Sequence, residues 1–182
     1  MAVHSDAETR PEPPRTRSGP IVIAYDGSPA SEYALREAGT LLAGSAALVL
    51  TVWKAGVGFE LISGPATMIG LPPAELDIRT ALDIDRTMYE NAQRAAEQGA
   101  QLAREVGFGE ADSLVVAEDP DIPVSDTILT IARERDAQAI VVGAHGHGKV
   151  SEVILGSISR DVIRHADRPV VVSTWKEKPA ED

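Results

Sequence analysis

Five short runs of aliphatic and β-branched residues, Ile21 to Tyr25, Ala47 to Val52, Ser113 to Ala117, Ala139 to Val142 and Val170 to Thr174, are separated by longer segments of helical period. Most of these runs are apolar throughout rather than alternating, so both of their faces must be covered. Helices on both sides of a parallel sheet meet that demand. The expected fold is a single α/β domain with a five-stranded parallel sheet. Only two Phe, two Trp and three Tyr occur in 182 residues, so Val, Ile, Leu and Ala must fill the core.

The intervening segments carry start and stop signals. Ser28 can cap a helix that runs to about Leu42, with Gly44 as its stop. A long helix fits Ala74 to Val106, ended by Gly107 and Gly109, with an Ala-rich stripe that allows close packing on the sheet. A third helix fits Pro123 to Arg135, after the acidic turn Glu118, Asp119, Pro120, Asp121. A last one fits Gly156 to His165, with Ser157 as its N-cap. Residues 55–73 hold four Gly and three Pro, so an irregular loop of the kind that covers a site is expected there. Residues 1–18, with Pro11, Pro13 and Pro14 and no apolar stretch of signal-peptide type, read as a disordered tail. Residues 176–182 read as a shorter one, leaving 19–175 as one domain.

Charge and cysteine usage exclude whole chemistries. Seventeen Lys and Arg against 28 Asp and Glu leave a formal charge of −11, which repels phosphodiester backbones and anionic lipid. Neither nucleic acid nor membrane is an expected partner. No window approaches the roughly 20 apolar residues of a membrane span, and a cytoplasmic location is expected. With no cysteine there is no disulfide, thiolate metal site or cysteine nucleophile.

The most informative stretch follows the fourth apolar run: Gly143, Ala144, His145, Gly146, His147, Gly148, Lys149, Val150, then Gly156 and Ser157. Strand, glycines and helix start in that order suit a phosphate, because backbone N–H groups can approach it and the helix dipole favours negative charge. Gly143 to Lys149 spells the first seven positions of a P-loop, but Val150 stands where that loop needs Ser or Thr for Mg²⁺. The dinucleotide pattern begins at Gly146 and Gly148 and ends wrongly in Ser151. His145 and His147 lack a third ligand at metal spacing and read as solvated loop residues. Ser157 with His165 lacks the G-x-S-x-G elbow of a hydrolase.

What fits without mismatch is G-x-x-G-(x)9-G-[ST], from Gly143, Gly146, Gly156 and Ser157. With Ile23 to Ser28 at the end of the first strand, Ala139 to Gly143, and the ending Ser159 to Val172, the chain resembles the universal stress protein family, in its ATP-binding branch, over about Gly19 to Thr174. That resemblance implies a Rossmann-like sheet of order 3-2-1-4-5, of the adenine nucleotide alpha hydrolase type. It also implies an adenine nucleotide as ligand, ATP or else ADP or AMP, with Mg²⁺ carried on the phosphates.

Position by position, Ala24, Tyr25 and Asp26 would face the nucleotide from the first strand, although Tyr25 by itself reads as core. Val52 would meet adenine through its backbone. Gly143, His145 and Gly146 would pass beneath ribose and phosphates, and Gly156, Ser157, Ile158 and Ser159 would hold the phosphates. Members of the family often carry Ser, Arg and Arg where Ala144, His145 and His147 stand here, so less fixed positive charge faces the phosphates. The implied role is a stress-response binder acting through its nucleotide-bound state. The alternatives are a slow ATPase or autophosphorylating protein, or a nucleotide-free homodimeric module. Homodimers would form through the final strand, Val170 to Thr174, whose apolar edge is a liability if unpaired. Trp53 and Trp175 are open between adenine and an interface.

Overall fold

The computed structural model describes residues 17–61, 75–144 and 155–174. In chain order the elements are β1 (Ile21–Ala24), α1 (Pro29–Leu41), β2 (Ala47–Trp53), α2 (Glu75–Glu105), β3 (Ala111–Ala117), α3 (Val124–Glu134), β4 (Ala139–Gly143), α4 (Ser157–His165) and β5 (Val170–Ser173). All strand pairs are parallel, and the sheet order is β3-β2-β1-β4-β5. The register sets Ile23 opposite Val49 on one side and Val141 on the other.

Alternate residues of these apolar strands feed two separate cores. Ile21, Ile23, Val49 and Val141 face Ala34, Leu35 and Ala38 of α1 and Ala100 and Ala103 of α2. Val22, Leu50, Ile140 and Val142 face Ile128, Leu129 and Ala132 of α3 and Val162 of α4. Each fully buried Val, Leu or Ile contributes about 1.5–3 kcal/mol, which is why the three inner strands show no polar face. Small residues set the spacing. A Cβ on Gly99 of α2 would lie 2.8 Å from Val49 Cγ1 and 2.9 Å from Tyr25 Cδ1.

Ser28 caps α1 as expected: its Oγ accepts from the Ser31 amide at 3.2 Å, and Pro29 opens the first turn. Two expectations need adjustment. β3 begins at Ala111 rather than Ser113, because an edge strand can carry the exposed Asp112 without loss. The stretch after β2 is not wholly irregular, for 57–61 make a helical turn. The amides of Gly56 and Gly58 donate to the two carboxylate oxygens of Asp85 on α2, at 3.0 and 2.9 Å. Residues 62–74, the rest of the expected cover, lie outside the described residues.

The chain travels from β1 outward to β3 with α1 and α2 on one face, then returns to β4 on the far side of β1 with α3 and α4 on the other face. Between β1 and β4 the winding reverses. In open parallel sheets the crevice beyond the carboxyl ends of the strands at such a reversal is where ligands bind.

Candidate functional site

A cleft of about 290 Å³ opens there, beyond the ends of β1, β2 and β4. This is close to the lower bound for small-molecule sites. Leu50, Val52 and Val142 of the sheet with Val124, Ile128 and Ile158 of the helices form its apolar wall, and Asp26, Ser28, Ser31 and Ser159 its polar rim.

β1 ends because the chain must turn toward α1. Gly27 adopts φ +77°, which side chains other than glycine's rarely tolerate. Asp26 tightens that turn by accepting from the Ser28 amide at 2.9 Å. Crowding by protein raises the Asp26 carboxyl, but hydrogen bonds from Ser28 and Ser31 outweigh it and hold the group below the ordinary carboxylate range. Asp26 is therefore an anion near neutral pH, and the only charged group among the described lining residues. The buried Tyr25 phenol is pushed up by desolvation, then by Glu32 and Asp26, so it stays protonated. Its ring packs on Gly99, as a core residue should.

β2 offers the cleft its backbone. Ile21 and Tyr25 donate to the carbonyls of Ala46 and Leu50, whereas the amides of Ala47 and Glu118 pair Ala47 and Trp53 with the β3 side. Even-numbered residues of β2 thus bond toward β1 and odd ones toward β3. Val52 is even, and the β1–β2 register stops at Ala24 opposite Leu50. Its N–H and C=O consequently face the space past the end of β1.

The opposite wall is the start of α4. Gly156 is the N-cap, and its carbonyl accepts the first intrahelical bond, from the Arg160 amide at 3.0 Å. Ser157 is the first helical residue, not the cap expected for it. The amides of Ser157, Ile158 and Ser159 precede that first bond and point outward at the positive end of the helix dipole. Ser159, 2% exposed, donates its hydroxyl to the Gly143 carbonyl at 2.7 Å and so ties α4 to the end of β4.

Of the residues singled out in the sequence, Ala24, Tyr25, Asp26, Val52, Gly143, Ile158 and Ser159 line one cleft. Gly156 and Ser157 stand beside it in the first turn of α4. His145 and Gly146 lie outside the described residues, as does Trp175. Trp53 packs against Tyr89 of α2, ring centroids 5.4 Å apart with the planes tilted by 55°, and does not line the cleft. Ser157 and His165 occupy opposite ends of α4, about 12 Å apart along its axis, too far for a nucleophile and its base. Ser31 and Thr51 were not singled out: Ser31 acts inside the turn, bonded to Ser28 and the Asp26 amide, and Thr51 finds its partner, the Tyr25 carbonyl, only across the fold.

Comparison with known proteins gives the following. A model of the universal stress protein family matches residues 18–173. A universal stress protein of Mycobacterium tuberculosis strain H37Rv is 29% identical over 182 residues, an alignment covering 94% of this chain and 50% of the relative. The chain therefore spans about half the length of such curated relatives. The solved universal stress protein of Archaeoglobus fulgidus superposes with a TM-score of 0.57 at 27% identity, covering 85% of this chain and 97% of that one. A structure of a universal stress protein from Archaeoglobus fulgidus in complex with dAMP gives 0.53 at 25% identity, over 86% and 98%.

Proposed function

Because this chain belongs to the universal stress protein family, we propose that it is a cytoplasmic adenine-nucleotide binder that acts in stress responses through its ATP-bound state. The observation that carries this reading is the Val52 peptide facing the β1–β4 crevice, opposite the outward amides of α4. One wall offers a donor and an acceptor to the edge of a purine; the other offers unpaired amides to phosphate. The related Archaeoglobus protein holds dAMP, an adenine nucleotide, which supports the same ligand class here. Mg²⁺ would be held mainly by phosphate oxygens and water, since one carboxylate, Asp26, faces the cleft among its described lining. It would neutralise phosphate charge.

Mass spectrometry of the denatured purified protein is expected to release an adenine nucleotide, and equilibrium dialysis to give saturable ATP binding. No saturable binding below millimolar ATP overturns the reading.

Two such chains pair through β5. Pro169, just before β5, and Ser173 at its end accept from the β4 side, so the N–H and C=O groups of Val170 and Val172 face the open edge of the sheet. Sedimentation at micromolar concentration is expected to give a dimer, and Val172→Pro, which removes an outward amide and no ladder bond, a monomer. A monomeric parent sinks this pairing.

A further inference from the structure

Thr51 lies on β2, 4% exposed, with its hydroxyl buried. Its Oγ1 donates to the Tyr25 carbonyl at 2.8 Å, while the Tyr25 amide donates to the Leu50 carbonyl at 2.9 Å. In a parallel ladder that simply continued, a residue whose N–H bonds to residue 50 would offer its C=O to the N–H of residue 52. Tyr25 does not, for its carbonyl is turned to Thr51 and the β1–β2 register stops one residue short. An unsatisfied buried carbonyl is costly, so without a local donor it would take the nearest strand amide, that of Val52.

We infer that Thr51 is a positioning residue for the ligand: by occupying the Tyr25 carbonyl it keeps the Val52 peptide open to the cleft and so sets the choice of purine. This rests on the nucleotide reading above. An open Val52 presents an N–H beside a C=O, the complement of adenine, whose N1 accepts and whose 6-amino group donates. Hypoxanthine reverses both, with N1–H donating and O6 accepting, and is disfavoured by the same pair of groups.

The test uses the full chain and its Thr51→Val and Thr51→Ser variants. Without ligand, amide exchange followed by NMR is expected to be fast at Val52 in the parent and in Thr51→Ser. In Thr51→Val it slows at least tenfold, as the released Tyr25 carbonyl captures that amide. A merely structural hydroxyl would instead leave Val52 alone or quicken it. A Val52 amide already protected in the parent, or exchanging alike in all three proteins, overturns the proposal. Calorimetric titration then compares ATP with inosine triphosphate. The parent is expected to prefer ATP at least tenfold; Thr51→Val loses about tenfold in ATP affinity along with the preference, and Thr51→Ser stays within twofold. A parent that binds neither nucleotide defeats the functional reading, and with it the ligand role of Thr51. A parent that binds ATP while Thr51→Val binds it unchanged defeats the Thr51 proposal alone.

Discussion

Gly143→Val is expected to lower the melting temperature by about 6–12 °C and to weaken nucleotide binding more than tenfold. A Cβ at position 143 would lie 2.9 Å from the Ala30 carbonyl oxygen, 3.1 Å from its carbon and 3.3 Å from the Ser31 amide nitrogen. All three are backbone atoms of the first turn of α1, which cannot swing aside as a side-chain tip can. Relief requires the start of α1 to move away from β4, and overpacking of this kind costs about 3 kcal/mol, or about 2–4 °C per kcal/mol in a chain of this size. The same movement shifts Ala30 and Ser31, which line the cleft with Gly143. Thermal melts and calorimetric titration below the transition check both effects, and Gly143→Ala is expected to show roughly half the loss of stability. A Val variant that melts like the parent would mean that α1 has slack the packing does not indicate.

Gly143 also illustrates what could be read in advance. Its glycine was visible in the sequence, and so was its place after a buried strand. The reason expected was room for phosphate; the packing adds a second, room for α1. The strands themselves were legible because coverage on both faces leaves no polar position to blur the pattern. β3 was read two residues late, since an edge strand tolerates Asp112 and so loses that signature.

The helical turn at 57–61 was hidden for a related reason. Gly56 and Gly58 look like breakers in isolation. In the fold their bare backbone lets two amides reach Asp85, and a Cβ on Gly58 would collide with the Ala81 carbonyl at 2.1 Å. No sequence spacing between residues 58 and 85 announces that contact. Thr51 belongs to the same class, whereas Ser31 bonds locally, to Ser28 and the Asp26 amide, without a motif that marks it. Each is an ordinary hydroxyl until the turn at Asp26 and the end of β1 give it a carbonyl or an amide to satisfy. Val52 was named through resemblance, and its physical reason, the parity of strand bonding, required the register.

Arg168→Met is expected to destabilise the domain by about 3 kcal/mol while leaving nucleotide affinity within twofold. The Arg168 side chain is 3% exposed, and its Nη1 donates to the carbonyls of Ala132 and Ala137, just where α3 ends and the chain turns into β4. Charge-assisted bonds to buried carbonyls are worth about 1.5–3 kcal/mol each, and losing the donor strands the Ala137 carbonyl and leaves the Ala132 carbonyl only its bond from the Ala137 amide. Met keeps the apolar stem, so the change isolates the guanidinium rather than the packing. The salt bridge to Asp167 is not the cause of the loss. The hydrogen bond from Arg168 holds the Asp167 carboxyl below its ordinary range; burial opposes it, and the charges of Arg168 and, least, Arg17 add to the lowering. That carboxylate is nevertheless half exposed, and such a pair contributes about 0–1 kcal/mol. Asp167→Asn is accordingly expected to melt within a few degrees of the parent. Arg168 sits at the amino end of β5, the opposite end of the sheet from the cleft, which is why binding should survive at temperatures where the variant is folded. Urea unfolding of the two variants decides between these origins. Equal losses would assign the stability to the ion pair, whereas a large loss for Arg168→Met alone would assign it to the carbonyls that close α3.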